Sequence, residues 1–399
     1  MLLRNLGFNE ANAEDEAVAI LVGPNGSGKS NHLRKIAIEY HSHRDVTVIS
    51  NTTYDRFLGI RGINRHSSGR TGQSPKATIK RAVAATLDRE GSEFYQISAT
   101  LEFCGYLPRI GFRIERSQAM REASFDPSDR YGPFFRSQEE YQDFEDSRHF
   151  LERWREDEII WIDSKSSVLE FSRRREFAAV LRSEQLLYKA KLLRRIHVYL
   201  EKEYGAPFEL QHASSGELSL ISSLVFLITT VGDNAIVLID EPENSLHPSW
   251  QRDYIDKVLG ALMYRNASIV VATHAPLVVT GATTQRPNHV TVYQVRNGNP
   301  DRLNINGMAA GDNGIEAVLW KAFDVVTPAN HFVSEEIVEA IDQYERDEIN
   351  KGAVLTLIAR MRARSFDPKQ EEFFDAIRTL VEKVETRKAS HNNNGRPAT

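Results

Sequence analysis

A short apolar run that ends at a glycine-rich loop constrains this chain more than any other feature. Residues 17–22 (AVAILV) are all apolar and lead directly into GPNGSGKS. Such a run is typical of a strand buried on both faces of a mainly parallel sheet. The segment that follows, NHLRKIAIEY, has apolar residues on one stripe and predicts a helix, and residues 45–50 (DVTVIS) predict a second strand. The sequence therefore predicts a strand, a loop, a helix and a strand in that order.

The loop itself fits the phosphate-binding pattern in full. Its glycines allow backbone N–H groups to converge on phosphate oxygens, and the following helix presents its positive end to them. In this pattern Lys29 reaches the β- and γ-phosphates, and the Ser30 hydroxyl binds Mg²⁺. The residues predicted to bind the cofactors ATP and Mg²⁺ in this loop are Gly23, Asn25, Gly26, Ser27, Gly28, Lys29 and Ser30.

Two later strands end in polar residues that suit the same chemistry. The apolar stretch 235–239 is followed by Asp240 and Glu241. Buried carboxylates are costly, so a pair of them at a strand end favours a functional site. Asp240 is predicted to hold Mg²⁺ and Glu241 to orient or deprotonate the attacking water. His274 follows the next apolar strand and is predicted to contact the γ-phosphate.

A fourth motif, Ser214-Ser215-Gly216-Glu217, opens an apolar helix ahead of Asp240. By itself it reads as a helix N-cap with an acid in the first turn. Its position between the phosphate loop and the acidic strand resembles the signature motif of ATP-binding-cassette (ABC) ATPases, and Asn244-Ser245-Leu246-His247 stands where that class has its D-loop. Glu217 and the long separation from Lys29 to Ser214 resemble the SMC/RecF/Rad50/OLD-like group rather than transporter cassettes. EPENSLHPSWQRDYI and ATHAPLVV are similar to OLD-like bacterial ATPases of phage-defence systems such as Septu, PARIS and defence retrons.

The resemblance implies a head-to-tail homodimer with two ATP molecules between its subunits. Each ATP would contact Ser214 and Gly216 of the opposing chain, with Ser215 and Glu217 in the same motif, so that binding closes the dimer and hydrolysis opens it. The position of the Q-loop glutamine stays open among Gln73, Gln96 and Gln118. No nuclease pattern of the OLD type is recognised after residue 300, so a separately encoded effector, such as a nuclease or toxin, is expected as a partner.

The fold class that follows is α/β: a P-loop NTPase of ABC-ATPase type, with a mixed, mainly parallel sheet, flanking helices, a helical insertion and a C-terminal helical region. We expect a discontinuous ATPase head at 1–100 and 205–311, a mostly helical insertion lobe at 101–204, a helical region at 312–385 and a disordered tail at 386–399. Residues 168–204 are expected to form one long helix or a helical pair, and residues 56–72 a long loop.

Composition limits the remaining functions. The chain has 399 residues, a net charge of −5 and a single cysteine, Cys104. This argues against a globally basic nucleic-acid coat and favours a reducing cytoplasm, with no membrane partner. Basic residues do cluster at 56–90 and 165–202, with ten Lys/Arg against four acids in the second stretch. Contact with nucleic acid, a solvated helix face, and pairing with the acidic stretch 115–158 all stay open for them.

Three functions are therefore weighed. The first is a regulatory ATPase that controls a separate effector, in anti-phage defence. The second is a DNA-repair or DNA-end-processing ATPase that binds DNA directly, and the third, disfavoured by the long insertion, is a transporter subunit.

Overall fold

A computed structural model describes the chain over residues 2–8, 17–67, 74–88, 93–117, 135–154, 158–163, 171–263, 265–303, 314–323, 325, 331–363 and 368–394. The strands are β1 Ala17–Val22, β2 Val46–Ser50, β3 Asn64–Ser67, β4 Arg109–Arg116, β5 Ile160–Asp163, β6 Leu193–Leu200, β7 Phe208–Glu209, β8 Ile236–Asp240, β9 Ser268–Ala272, β10 Val290–Arg296 and β11 Asn299–Leu303. The helices are α1 Leu2–Asn5, α2 Lys29–Tyr40, α3 Pro75–Asp88, α4 Glu93–Phe103, α5 Gln138–Arg153, α6 Phe171–Arg182, α7 Glu184–Lys189, α8 Ser215–Thr230, α9 Pro248–Ala261, α10 Pro276–Gln285, α11 Gly314–Phe323, α12 His331–Glu345, α13 Lys351–Arg362 and α14 Pro368–Asn394. No helix in these ranges is both long and apolar enough to cross a membrane.

A seven-stranded sheet forms the centre of the molecule, in the order β11-β10-β1-β9-β8-β2-β3. Its neighbours pair in parallel except for β10 and β11, which form an antiparallel hairpin. The inner strands β1, β2 and β8 are buried almost completely, because apolar clusters cover both faces of the sheet. This confirms the predicted fold class: a mainly parallel sheet with flanking helices and a C-terminal helical region.

A smaller antiparallel sheet, β5-β4-β6-β7, is formed by the insertion and by β7 just after it, where a mostly helical lobe was expected. The expectation of a continuous helix or helical pair over 168–204 is wrong beyond α7. Lys191 adopts a left-handed backbone conformation with φ of 54°, and the chain then enters β6. Ile196 and Val198 of β6 pair with β4, so cross-strand packing of β-branched residues decides this segment rather than its helix-like periodicity.

Two further expectations are corrected. The stretch 56–72 contains β3, which pairs in parallel with β2. The polar residues of β3 do not show the apolar pattern that predicts a strand. One of them, His66, is nevertheless buried and stacks on Phe226 of α8. The tail expected to be disordered from 386 instead continues α14 to Asn394, since no glycine or proline interrupts the helix before Gly395.

A separate apolar cluster unites the C-terminal helices α11 to α14. Trp320, Ile337, Ile358 and Phe374 are buried in it. Helix α11 also packs against α10, which joins this cluster to the central sheet. The predicted domain boundaries at 100, 205 and 312 stay predictions.

Helices α9 and α10 pack so closely that a glycine is required between them. A Cβ atom at Gly281 would lie 1.8 Å from the carbonyl oxygen of Arg252. We expect Gly281→Ala to lower the free energy of unfolding by about 1–3 kcal/mol, because the helices must separate to fit the methyl group. Urea unfolding at equilibrium measures the change.

The matched control is Gly260→Ala in α9, where an added Cβ would meet no atom within 4 Å. Here alanine should raise the free energy of unfolding by roughly 0.5–1 kcal/mol through helix propensity. Equal effects at the two positions would contradict the packing argument.

Candidate nucleotide site

The residues predicted to bind nucleotide lie at one edge of the central sheet. Ala272 of β9 is paired with Leu21 of β1 on one side and with Asp240 of β8 on the other. Because these strands are parallel, the loops that follow them emerge at the same edge. The phosphate loop, the acidic pair and His274 are therefore brought together by strand register.

The phosphate loop is closed around its lysine. Lys29 is 6% exposed, and its Nζ donates hydrogen bonds to the carbonyl oxygens of Gly23 at 2.7 Å and Pro24 at 3.3 Å. Burial lowers the pKa of Lys29, while the acids at 240, 241 and 243 oppose that shift. Pro24, Asn25 and Gly26 form the exposed tip of the loop.

The base of the loop contacts the turn between β10 and β11. Gly28 has φ of 104°, and a Cβ there would lie 3.0 Å from the Cα of Gly298. The Gly298 N–H donates to the carbonyl oxygen of Ser27 at 2.9 Å. Glycine at 28 thus serves both the loop conformation and this close approach.

Ser30 and Asp240 connect the loop to β8. The Ser30 hydroxyl donates to Asp240 Oδ1 at 2.9 Å. Asp240 is fully buried, and its Oδ2 has no hydrogen-bond partner among the described residues. Burial raises the pKa of Asp240 to about 6, with the Ser30 hydrogen bond acting in the opposite direction. A hydroxyl beside a carboxylate with an unpaired oxygen is a donor set that suits Mg²⁺, so these residues fit the predicted metal.

Glu241 stands at the edge in a strained conformation. Its φ is 52°, which is uncommon for a residue other than glycine, and its N–H donates to the Ala272 carbonyl oxygen at 2.8 Å. Asn244 donates from Nδ2 to Glu241 Oε2 at 2.9 Å and to the Asn51 carbonyl oxygen at 3.0 Å. The carboxylate is three-quarters buried, and Asn244 fixes its orientation.

Glu243 belongs to the site but was not predicted. It is 6% exposed and accepts the backbone N–H of His274 at 2.7 Å. His274 Nδ1 lies 3.0 Å from the same carboxylate oxygen and 3.9 Å from Glu241 Oε1. Glu243 therefore orients the histidine ring while leaving it partly exposed. The signal in the sequence is the second acid of Glu241-Pro242-Glu243.

The signature segment begins α8 with a complete capping box. Ser214 accepts the Glu217 N–H at 3.2 Å, and Glu217 accepts the Ser214 N–H at 2.7 Å. Ser214 and Ser215 are exposed, whereas Gly216 is buried against the loop after Glu241. A Cβ on Gly216 would lie 2.3 Å from the Ser245 carbonyl oxygen, so only glycine fits there.

The Q-loop glutamine is not identified by these contacts. Gln96 lies in α4, where its Oε1 is buried without a hydrogen-bond partner among the described residues. Gln73 and Gln118 fall outside the described residues.

The raised pKa of Asp240 predicts a pH-dependent gain from Asp240→Asn. The folded chain binds a proton there more tightly than the unfolded chain, so burying the charged carboxylate lowers stability as the pH rises from about 4 to 6. Asparagine keeps the acceptor for Ser30 and removes the charge. Without nucleotide and Mg²⁺, we expect this variant to exceed the parent in free energy of unfolding by on the order of 2 kcal/mol at pH 7.5. Urea unfolding at pH 7.5 and pH 4.5 tests this, since the advantage should largely disappear at the lower pH. An advantage of equal size at both would rule out charge burial as its cause.

Comparison with known proteins agrees with this geometry. Residues 85–280 match the model of a family described as "AAA domain, putative AbiEii toxin, Type IV TA system". The matched range includes Ser214, Asp240, Glu241 and His274 and begins after the phosphate loop. A second likeness, at 34% identity over 70 residues, is to "Protein ea59" of Escherichia phage lambda; it covers 18% of this chain and 13% of that protein. The chain thus spans about an eighth of the length of that curated relative.

The family model fits an ABC-like group of P-loop ATPases. Taken with the register that gathers the phosphate loop, Asp240 and His274 at one sheet edge, the match agrees with a P-loop fold built on a mainly parallel sheet.

Proposed function

We propose that this chain binds ATP with Mg²⁺ and hydrolyses it, and that this cycle opens and closes a head-to-tail dimer which controls a separate effector. The observation that carries the proposal is the Ser30–Asp240 hydrogen bond beside an unpaired Asp240 oxygen, with Lys29 and Glu241 at the same edge. Hydroxyl, carboxylate and lysine in this arrangement are the groups that phosphoryl transfer uses.

Each side chain has a distinct role in this proposal. Lys29 would exchange its bonds to the loop carbonyls for bonds to the β- and γ-phosphates. Ser30 and Asp240 would hold Mg²⁺, which when bound neutralises phosphate charge. Glu241, fixed by Asn244, would accept a proton from the attacking water.

His274 would contact the γ-phosphate. Because the Glu243 carboxylate lies 3.0 Å from Nδ1, the opposite ring nitrogen is left to face a phosphate oxygen. A carboxylate behind a histidine favours the tautomer with Nδ1 protonated, so Nε2 would then act as acceptor or, when protonated, as donor.

Glu241→Gln tests hydrolysis directly. The amide keeps the shape and the Asn244 contact but cannot act as a base, so ATP turnover should fall by at least roughly 10²-fold. ATP binding should persist, because Lys29, Ser30 and Asp240 are unchanged. Steady-state phosphate release and equilibrium ATP titration give the two readouts. Normal turnover in this variant would remove Glu241 from the role of base.

The proposed dimer is supported by the exposure of the signature. Ser214 and Ser215 face solvent at the N-terminus of a 16-residue helix, where backbone N–H groups and the helix dipole favour an anion. Gly216 rests on the loop after Glu241, so the signature is connected to the catalytic edge of its own chain. A second chain could therefore present Ser214 to the γ-phosphate, and its arrival would be sensed at Glu241.

Mixing two inactive variants distinguishes a shared site from a self-contained one. Ser214→Arg should spare ATP binding and block closure, whereas Lys29→Ala should lose ATP binding. In a mixed dimer one site carries both lesions and the other carries neither, so some ATPase activity should return on mixing. ATPase rate against mixing ratio is the measurement, with subunit exchange verified by differently tagged chains. No recovery despite proven exchange and ATP binding would count against the composite site.

The effector and the biological setting belong to the same proposal. The family description names a toxin, which supports a role in anti-phage defence with a partner such as a nuclease or toxin. A DNA-repair ATPase is the second candidate. In the described part of the insertion several arginines form ion pairs with acids, as in Arg182–Asp143 at 2.6 Å and Arg153–Glu176 at 2.7 Å. Because paired arginines are less available to a DNA backbone, this favours the first candidate. A neighbouring gene for a nuclease, reverse transcriptase or toxin would support it, and a repair operon would support the second.

A further inference from the structure

A cavity of about 490 Å³ lies between α3 and the insertion, and its lining shares no residue with the nucleotide site. It lies between the start of α3, helix α7 and strands β4 and β6. Its charged lining consists of Lys76, Lys80, Arg194, Arg195, Glu115 and Glu184. Four cations thus face two carboxylates in a concave space whose volume is typical of small-ligand sites.

Ion pairs within the lining leave two of its four cations without a partner. Lys80 forms an ion pair with Glu184, and Arg194 lies 2.8 Å from Glu115. Among the described residues, Lys76 and Arg195 have neither an ion pair nor a hydrogen bond from their side chains. Glu209, whose charge also acts on Lys76, does not line the cavity and lies 2.9 Å from His197. The cavity therefore carries about two uncompensated positive charges.

Among the cations of the lining, Lys76 would be stabilised most by a bound anion. It is half-buried, and burial together with the neighbouring Lys80 and Arg195 lowers the pKa of its ammonium group. A bound dianion would relieve both the desolvation and the repulsion, because it would lie within reach of both unpaired cations. Ser74, which caps α3 by accepting the Ala77 N–H at 3.2 Å, also lines the cavity.

We propose that this cavity binds a small phosphate monoester of mononucleotide size. A monoester carries a charge of roughly −1.5 to −2 at neutral pH, which matches the two cations left over. Tyr188 lines the same cavity and is 66% exposed, so its ring is available to stack on a planar base attached to the phosphate.

The surroundings favour a small ligand over a nucleic-acid strand. A nucleic-acid strand binds to a row of unpaired cations that follows its phosphate backbone. In the cavity Arg194 is paired with Glu115, and elsewhere in the insertion Arg182 is paired with Asp143 and Arg109 with Glu201 at 2.9 Å. Two unpaired cations, Lys76 and Arg195, are thus gathered in one concave space.

Calorimetric titration of the full chain carrying Lys29→Ala, which silences the phosphate loop, tests the proposal. The probes are 5′-AMP, inorganic phosphate and a single-stranded oligonucleotide. We expect 5′-AMP to bind saturably with one site per chain. Adding Lys76→Gln or Arg195→Gln should weaken that binding at least tenfold. Lys189→Gln is the matched control, because Lys189 is an exposed cation on α7 that lines a different cavity, and it should leave the affinity unchanged.

The outcomes separate cleanly once circular dichroism shows that each variant is folded. Binding of inorganic phosphate as well as 5′-AMP, both dependent on Lys76, supports a phosphate site. Absence of saturable binding, equal weakening by Lys189→Gln, or binding of the oligonucleotide alone would overturn the proposal. Failure of the ATPase proposal would leave these titrations unaffected, since they do not involve hydrolysis.

Discussion

The hydrogen bond from Ser30 to Asp240 is the contact on which the site depends. It joins residues 210 positions apart in sequence, and it forms only because β1 and β8 flank β9 in parallel register. A shift of one residue in either strand would turn the loop or the carboxylate to the opposite face. The apolar clusters on both sides of the sheet therefore stabilise the relative position of two polar atoms, which they do not themselves contact.

The nucleotide edge was largely predictable from sequence, whereas the insertion was not. The strands around β1, β8 and β9 are continuous apolar runs, and their polar endings mark a site without further information. At the edge of the central sheet β3 is polar, and in the insertion β6 has a helix-like spacing of apolar residues. These two strands exist because of partners elsewhere in the chain: β3 lies beside β2 and under α8, and β6 pairs with β4. A local pattern cannot reveal such partners.

Within the site, the residues predicted from sequence are those that would contact nucleotide. The residues that hold these side chains in position were missed. Asp240, Glu241 and His274 could be found because they end strands. Glu243 and Asn244 could not be assigned roles, because their importance lies in contacts with His274 and Glu241 that depend on the left-handed turn at Glu241. Positioning residues act through geometry, which a linear motif records poorly.

The pairing of β1 with both β9 and β10 also bears on how the chain reaches its fold during synthesis. Ala17 pairs with Ser268 and Val18 with Val290, so the most apolar strand emerges long before either neighbour exists. At typical translation rates of about 5–20 residues per second, β1 would wait on the order of ten seconds to a minute for its partners. Through that interval an apolar edge is exposed to other nascent chains. The yield of folded protein would then depend on how well that edge is shielded during synthesis as well as on the stability of the finished molecule.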